Sequence, residues 1–283
     1  MNANEGGVVV VGAAGHQGSA VLKHLSLQGL EARLLLDDRG EGEAHGLRWS
    51  RAEHVSFDDA AVLENALRGV GALFVVLDDP ESGPADRLRH GRAIGDAAAR
   101  AGISHIVYSS ATGPDHHRIA CDLSREIEEH LRSLDVPLTV LRPATVMEEI
   151  AWYWLSQYGS KLVLATPFEA QSRLPMIAVE DIGALSVAAL SAPAEFIGKT
   201  LDTAGDVTSP AAVADVLAEA LRQDVAYSEV QVEGVFIYPE ASAAASDIAW
   251  LRGLYPGLHT LRSWLDEGGG LELCRRAVAH ARA

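Results

Sequence analysis

Two hydrophobic rhythms alternate along the first half of the chain. Short, nearly unbroken apolar runs occur at Val8–Val11, 32–36, 72–77, His105–Ser109 and 138–141, and 54–56 reads as a further short strand. Between them lie longer stretches that read as helices, such as DDAAVLENALRG, ADRLRHGRAIGDAAARAG and DLSREIEEHLRSL. Strands buried on both faces of a parallel sheet read as continuous apolar runs, while the helices that cover them bury a single stripe. Gly29 and Gly102 close two of the helices, Asp58 or Asp59 caps another, and Pro143 stops the sixth strand. The pattern predicts an α/β fold with a parallel sheet covered on both faces.

After Pro143 the rhythm breaks. ATVMEEIAWYWLSQYG reads as an aromatic-rich helix, and MIAVEDIGALSVAALSAP as a strand running into a helix. KTLDTAG returns a strand to the sheet, and SPAAVADVLAEALRQD is a helix with Ser209 as its N-cap and Pro210 at its first position. The expected organisation is a nucleotide-binding domain over 1–146, with a return segment at 175–205, and a smaller C-terminal α/β lobe over 147–283. There is no internal repeat and no low-complexity linker.

Composition removes several classes of function. The 283 residues carry a formal net charge of −16, whereas proteins that grip phosphate backbones present a basic patch. Nucleic acid is therefore not an expected direct partner. The basic CRRAVAHARA at the C-terminus fits the solvated face of a last helix. Cys121 and Cys274, the two cysteines, make neither a disulfide framework nor a metal set, and the histidines lack ligand spacing. No metal is expected. No apolar run is long enough to span a bilayer, and the N-terminus lacks signal-peptide character. A cytoplasmic protein with no membrane association is the expectation.

GAAGHQG places Gly12, Gly15 and Gly18 where the first strand meets the first helix. Such a turn needs positive φ, and a pyrophosphate approaches the backbone only where Cβ is absent. The helix start, at His16 and Gln17, supplies N–H groups and the positive end of a dipole. Glycine also permits tight strand-to-helix packing with no ligand, but the surrounding βαβ rhythm favours a dinucleotide. Asp37 directly follows the second strand, 19 residues past Gly18, where an acid accepts the ribose hydroxyls of NAD and repels the extra phosphate of NADP. NAD is the favoured cofactor. Arg39 is placed to reach that phosphate, which keeps NADP open, and a solvated turn is the alternative role for Asp37 and Asp38.

GAAGHQG, HIVYSSATG, EIEEHLRSLDVPLTVLRPATVMEEI, MIAVEDIGALSVAAL and DIAWLRGLYPGLHTLRSWL together resemble the NmrA-like family of atypical short-chain dehydrogenases/reductases. The likeness keeps its order over nearly the whole chain. It implies a Rossmann-type doubly wound sheet, a C-terminal ligand lobe and a cleft between them. Two departures stand out. Asp37 occupies the place where many members have an NADP-reading Arg, and Ser56 the place of an Asp beside adenine.

The resemblance also puts Cys121 and Arg125 where a reductase has its Tyr and Lys. Arg stays charged at any workable pH and cannot relay a proton, although Arg125 can still bond ribose or phosphate. Cys121 is a possible proton donor or a small buried residue. Ser109 and Ser110 follow the fifth strand, where a reductase holds its substrate oxygen or where a turn simply forms. His116, His117 and Tyr153 are further acid or base candidates. Met147, Trp152 and Tyr153 are expected to wall a pocket for an aromatic or polycyclic ligand, or to pack in a core. The expected function is a dinucleotide-responsive sensor or regulator with a possible protein partner. The alternatives are reduction of a quinone-like or polycyclic substrate, or non-redox chemistry in the cleft.

Overall fold

The computed structural model describes residues 6–38, 52–77, 83–111, 119–231 and 248–280. The first half carries β1 (Val8–Val11), α1 (His16–Leu27), β2 (Ala32–Asp37), β3 (Ala52–Val55), α2 (Ala60–Leu67), β4 (Ala72–Val76), α3 (Pro84–Ala101), β5 (His105–Ser109), α4 (Ile119–Ser133) and β6 (Leu138–Pro143). β7 (Thr145–Val146), a π-helical turn (Ile150–Trp154), β8 (Leu155–Tyr158), β9 (Lys161–Thr166) and β10 (Leu174–Ile177) follow. Then come α5 (Val179–Ser191), α6 (Pro193–Phe196), β11 (Thr200–Thr203), β12 (Asp206–Thr208), α7 (Pro210–Leu221) and β13 (Val225–Glu229). The last elements are α8 (Ile248–Leu254), α9 (Leu261–Asp266) and α10 (Gly270–His280).

The chain forms two compact units. Of the described residues, the first comprises 6–38, 52–77, 83–111, 119–142 and 182–201; the second comprises 143–181, 202–231 and 248–280. The chain crosses from the first unit to the second after Arg142 and back inside α5.

The main sheet has the order β11-β6-β5-β4-β1-β2-β3. β1 pairs in parallel with β2 on one side and β4 on the other, so the strand order reverses direction beside β1. In open α/β sheets that crevice, at the C-terminal strand ends, is where ligands bind. β1, β4 and β5 are buried throughout, whereas β3, at the edge of the sheet, buries only Val55 and leaves Ala52, Glu53 and His54 exposed. One continuous core joins Val9, Val11, Leu73 and Tyr108 of the strands to Leu63, Ile94 and Ile127 of the helices. Capping follows local chemistry: Asp59 caps α2 and Ser209 caps α7 through their side chains.

The aromatic stretch departs from the helical expectation. Residues 145–158 form a strand, a single π-turn and a second strand. Their rhythm is overridden by tertiary pairing. Gly159, with φ +62°, and Ser160 close an antiparallel hairpin that joins Tyr158 to Lys161 and Leu155 to Leu164. The second unit has its own core, in which Met147, Ile150, Trp154 and Leu164 meet Leu217, Trp264 and Cys274.

Candidate functional site

The turn after β1 is built almost without side chains. Gly12 has φ +81°, and a Cβ added to it would lie 2.2 Å from the Val76 carbonyl oxygen. The Gly15 N–H donates to the Gly12 carbonyl at 3.0 Å and so closes the turn. A Cβ on Gly18 would lie 2.2 Å from the Gly12 oxygen, so α1 lies directly against the turn. Gly15 is the N-cap of this 12-residue helix, and no side chain caps it and no acid occupies its first turn. A helix start in that condition presents N–H groups and positive potential to an anion. His16 is exposed and Gln17 half-buried; the Ser109 hydroxyl donates to Gln17 Oε1 at 2.7 Å.

Asp37 ends β2, two residues beyond the position that pairs with Val11. The acid therefore lies toward the same sheet end as the glycine turn. Ser56 follows β3 and is half-buried, its carbonyl accepting the Asp59 N–H. Arg39 lies outside the described residues. The sequence carries no signal for the next neighbour, because His90 reads there as one more residue of α3. His90 is buried, with Nδ1 3.7 Å from Asp37 Oδ2 and Nε2 3.5 Å from Asp58 Oδ1. Phe57 meets its ring edge-on at 5.5 Å.

The catalytic candidates fall in a different setting. Ser110 is buried and donates to Glu128 Oε1 at 2.5 Å. Glu128 has no exposed surface. It also accepts from Arg142 Nε at 3.0 Å and Nη2 at 2.7 Å, and from Arg132 Nη2 at 2.8 Å. Arg125, at the Lys position of the resemblance, adds a contact of 3.4 Å and keeps only 16% of its side chain exposed. Three guanidiniums thus converge on one carboxylate, the arrangement that makes burial of such a charge tolerable. Tyr108 gives no substitute acid: burial pushes its phenol well above the ordinary range, and Ser124 bonds it. α4 includes Cys121, but that side chain, like His116 and His117, lies outside the described residues.

In the second unit Met147 is fully buried and belongs to the core rather than to a pocket wall. Tyr153 is 75% exposed, and Trp152 meets it edge-on at 6.2 Å. Three carboxylates hold the segment around α9. Asp181 accepts the His259 backbone N–H at 2.9 Å and faces its Nδ1 at 2.7 Å. Asp206 accepts the Leu261 N–H at 2.8 Å, and Glu148 accepts the Trp264 indole N–H at 3.1 Å. The Asp181 hydrogen bond raises the His259 pKa, whereas burial raises that of Glu148. Among the described residues no group of His, Cys, Asp or Glu is arranged to hold a metal. Nor is any described helix long and apolar enough to cross a membrane.

Comparison with known proteins places this geometry. A reductase of (4-alkanoyl-5-oxo-2,5-dihydrofuran-3-yl)methyl phosphate from Streptomyces griseus is 31% identical over 65% of the chain. The match spans 63% of that enzyme, less than two thirds of its length. A crystal structure of NmrA, a negative transcriptional regulator, in complex with NAD superposes with a TM-score of 0.75 at 18% identity, covering 97% of this chain and 98% of that one. An NADPH-dependent quinone oxidoreductase of Escherichia coli, complexed with NADPH, gives 0.73 at 21% identity, covering 92% and 98%. Both structural likenesses carry the fold. The sequence model of the NmrA-like family matches residues 4–247, and the chain belongs to that family.

Proposed function

We propose that the protein binds NAD or NADP at the turn between β1 and α1, with NAD preferred, and acts in the cytoplasm as a dinucleotide-responsive sensor or regulator. The observation that carries the first part is the glycine cradle. Gly12 and Gly18 have no room for a Cβ, and Gly15 leaves the start of α1 without a side-chain cap. Backbone N–H groups of that first turn suit the pyrophosphate, and Asp37 suits the adenosine ribose hydroxyls. Relatives in complex with NAD and with NADPH support the same ligand class. A bound dinucleotide supplies hydride exchange at its nicotinamide.

Regulation is favoured by what the residues near β5 and α4 do. A reductase needs a group that delivers a proton as hydride arrives. Here Arg125 and Ser110 are both engaged with Glu128, and Tyr108 is buried with a raised pKa. A second reading has a specific support. Quinone and furanone-phosphate reductases are among the similar proteins, and a quinone-like acceptor yields a delocalised anion that needs little help from an acid.

Calorimetry with NAD, NADH, NADP and NADPH tests the first part; no binding of any of them overturns it. Cofactor oxidation with a panel of quinones and simple ketones separates the two uses. Quinone turnover alone moves the assignment to the reductase. Ketone turnover that Cys121→Ala abolishes would establish a proton donor and overturn the regulator. No turnover, with a protein partner whose binding follows cofactor redox state, supports regulation.

A further inference from the structure

We infer that Ser109 is a positioning residue whose hydroxyl turns the Gln17 carboxamide, so that the amide nitrogen faces the nicotinamide-bearing half of the dinucleotide. The inference rests on the dinucleotide reading above and assigns two side chains to one half of that ligand.

The sheet fixes where these two side chains meet. Gly12 follows β1 and packs against Val76, whose carbonyl oxygen would lie 2.2 Å from an added Cβ. Val76 in turn pairs with Ser109, the last residue of β5. The side chain of Gln17, second residue of α1, therefore reaches past the end of β4 to β5. Asp37 ends β2, on the opposite side of β1. A dinucleotide lies across this crevice with its pyrophosphate at the start of the helix. With the adenosine ribose on the Asp37 side, the Gln17 side is left to the nicotinamide ribose and its phosphate.

The hydrogen bond fixes which edge the carboxamide presents. The Ser109 hydroxyl donates to Gln17 Oε1 at 2.7 Å, and Ser109 is buried, so water competes little for that bond. An amide oxygen engaged in this way leaves the nitrogen, with two donors and no acceptor, on the other edge of the group. Among the described residues no protein group accepts from Gln17 Nε2. Donors beside a helix start without a side-chain cap suit the phosphate and hydroxyl oxygens of that ligand half. Without the Ser109 hydroxyl the carboxamide turns freely, and its acceptor meets a phosphate as readily as its donors do.

The test is a double-mutant cycle on the Kd of NAD, with urea unfolding followed alongside. Gln17→Leu should weaken NAD about tenfold, the scale of one hydrogen bond to a charged group. Gln17→Glu should weaken it further, because the carboxylate keeps the shape and the Ser109 bond but turns an acceptor toward the phosphate. Ser109→Ala should cost about threefold in the wild-type background, as the ordering of one side chain does. In the Gln17→Leu background it should cost nothing, since it acts only through Gln17. A Ser109→Ala variant that changes urea unfolding and leaves Kd unmoved in both backgrounds would make the bond purely structural and overturn the inference. An equal loss in both backgrounds would make Ser109 itself a ligand contact, which also overturns it. If Gln17→Glu binds NAD as the wild type does, the amide presents its oxygen outward and the assignment fails, with dinucleotide binding intact. No binding of NAD to the wild type would overturn the underlying reading and the inference with it.

Discussion

The glycine turn after β1 and the cluster around Glu128 both lie at the C-terminal strand ends of one sheet, and they use polarity in opposite ways. At the turn, the side chains from Gly12 to Gly15 are absent or a single methyl, and backbone N–H groups stand at the start of α1. At the cluster, one buried carboxylate takes Ser110 and three arginines. The first leaves the start of α1 without a side-chain cap; the second satisfies itself. A charged residue near a strand end is therefore no measure of ligand chemistry until its partners are known. The clamp of Asp181, Asp206 and Glu148 around α9 extends the lesson to the second unit, where three acids serve the packing of a short helix.

The largest effect expected from this contrast is on stability. Glu128→Ala leaves three guanidiniums without their buried counter-charge and should cost about 3–5 kcal/mol in urea unfolding. A change near zero would mean that the cluster is not self-satisfying. Next comes a pair of glycines. Gly15 has φ −76°, a value any residue adopts, so Gly15→Val should cost no more than the roughly 1 kcal/mol of a poor N-cap while weakening dinucleotide binding at least about a hundredfold, roughly 3 kcal/mol. Gly18→Ala should instead cost stability, about 1–3 kcal/mol, because its Cβ would strike the Gly12 carbonyl. If both variants behave alike, the turn is only a packing device.

A smaller shift is expected at the acid. Asp37→Arg should move the Kd ratio toward NADP by about tenfold, the effect of exchanging repulsion for attraction at a partly solvated site. A wild-type protein that already prefers NADP would turn attention to Arg39. The smallest effect is in the clamp and has a defined sign. Asp181 holds the His259 pKa above its ordinary value, so folding binds that proton more tightly. The resulting stability is complete below about pH 6.5, the unfolded value, and is lost as pH rises through the folded one. His259→Gln should therefore destabilise the protein more at acidic than at alkaline pH in thermal unfolding. An equal loss at both ends would show that the His259 charge adds no pH-dependent stability over that range.

Much of the fold was legible because its signals are local. A buried parallel strand must be apolar along its length, a helix must begin with a cap, and a turn this tight must use glycine. Val8–Val11, Asp59, Ser209 and Gly12 each state such a requirement within a few residues. The stretch at 145–158 was misread as a helix for the complementary reason: its conformation answers to a strand partner, β9, across a hairpin. In the candidate site, the glycines and Asp37 could be named from spacing, and His90 could not.

The sequence by itself determined where the chain is apolar, where it must turn, and that a Tyr and Lys pair is missing from the place the family resemblance gives it. Those are properties of residue type and short-range period. The tertiary structure alone decided what the charged residues do. Ser110 and Arg142 stand 18 and 14 residues from Glu128, and His90 lies 53 residues from Asp37 in the chain (90 minus 37). Charge acts through space, over a few ångströms in a buried setting, and only the folded sheet brings those partners within that range.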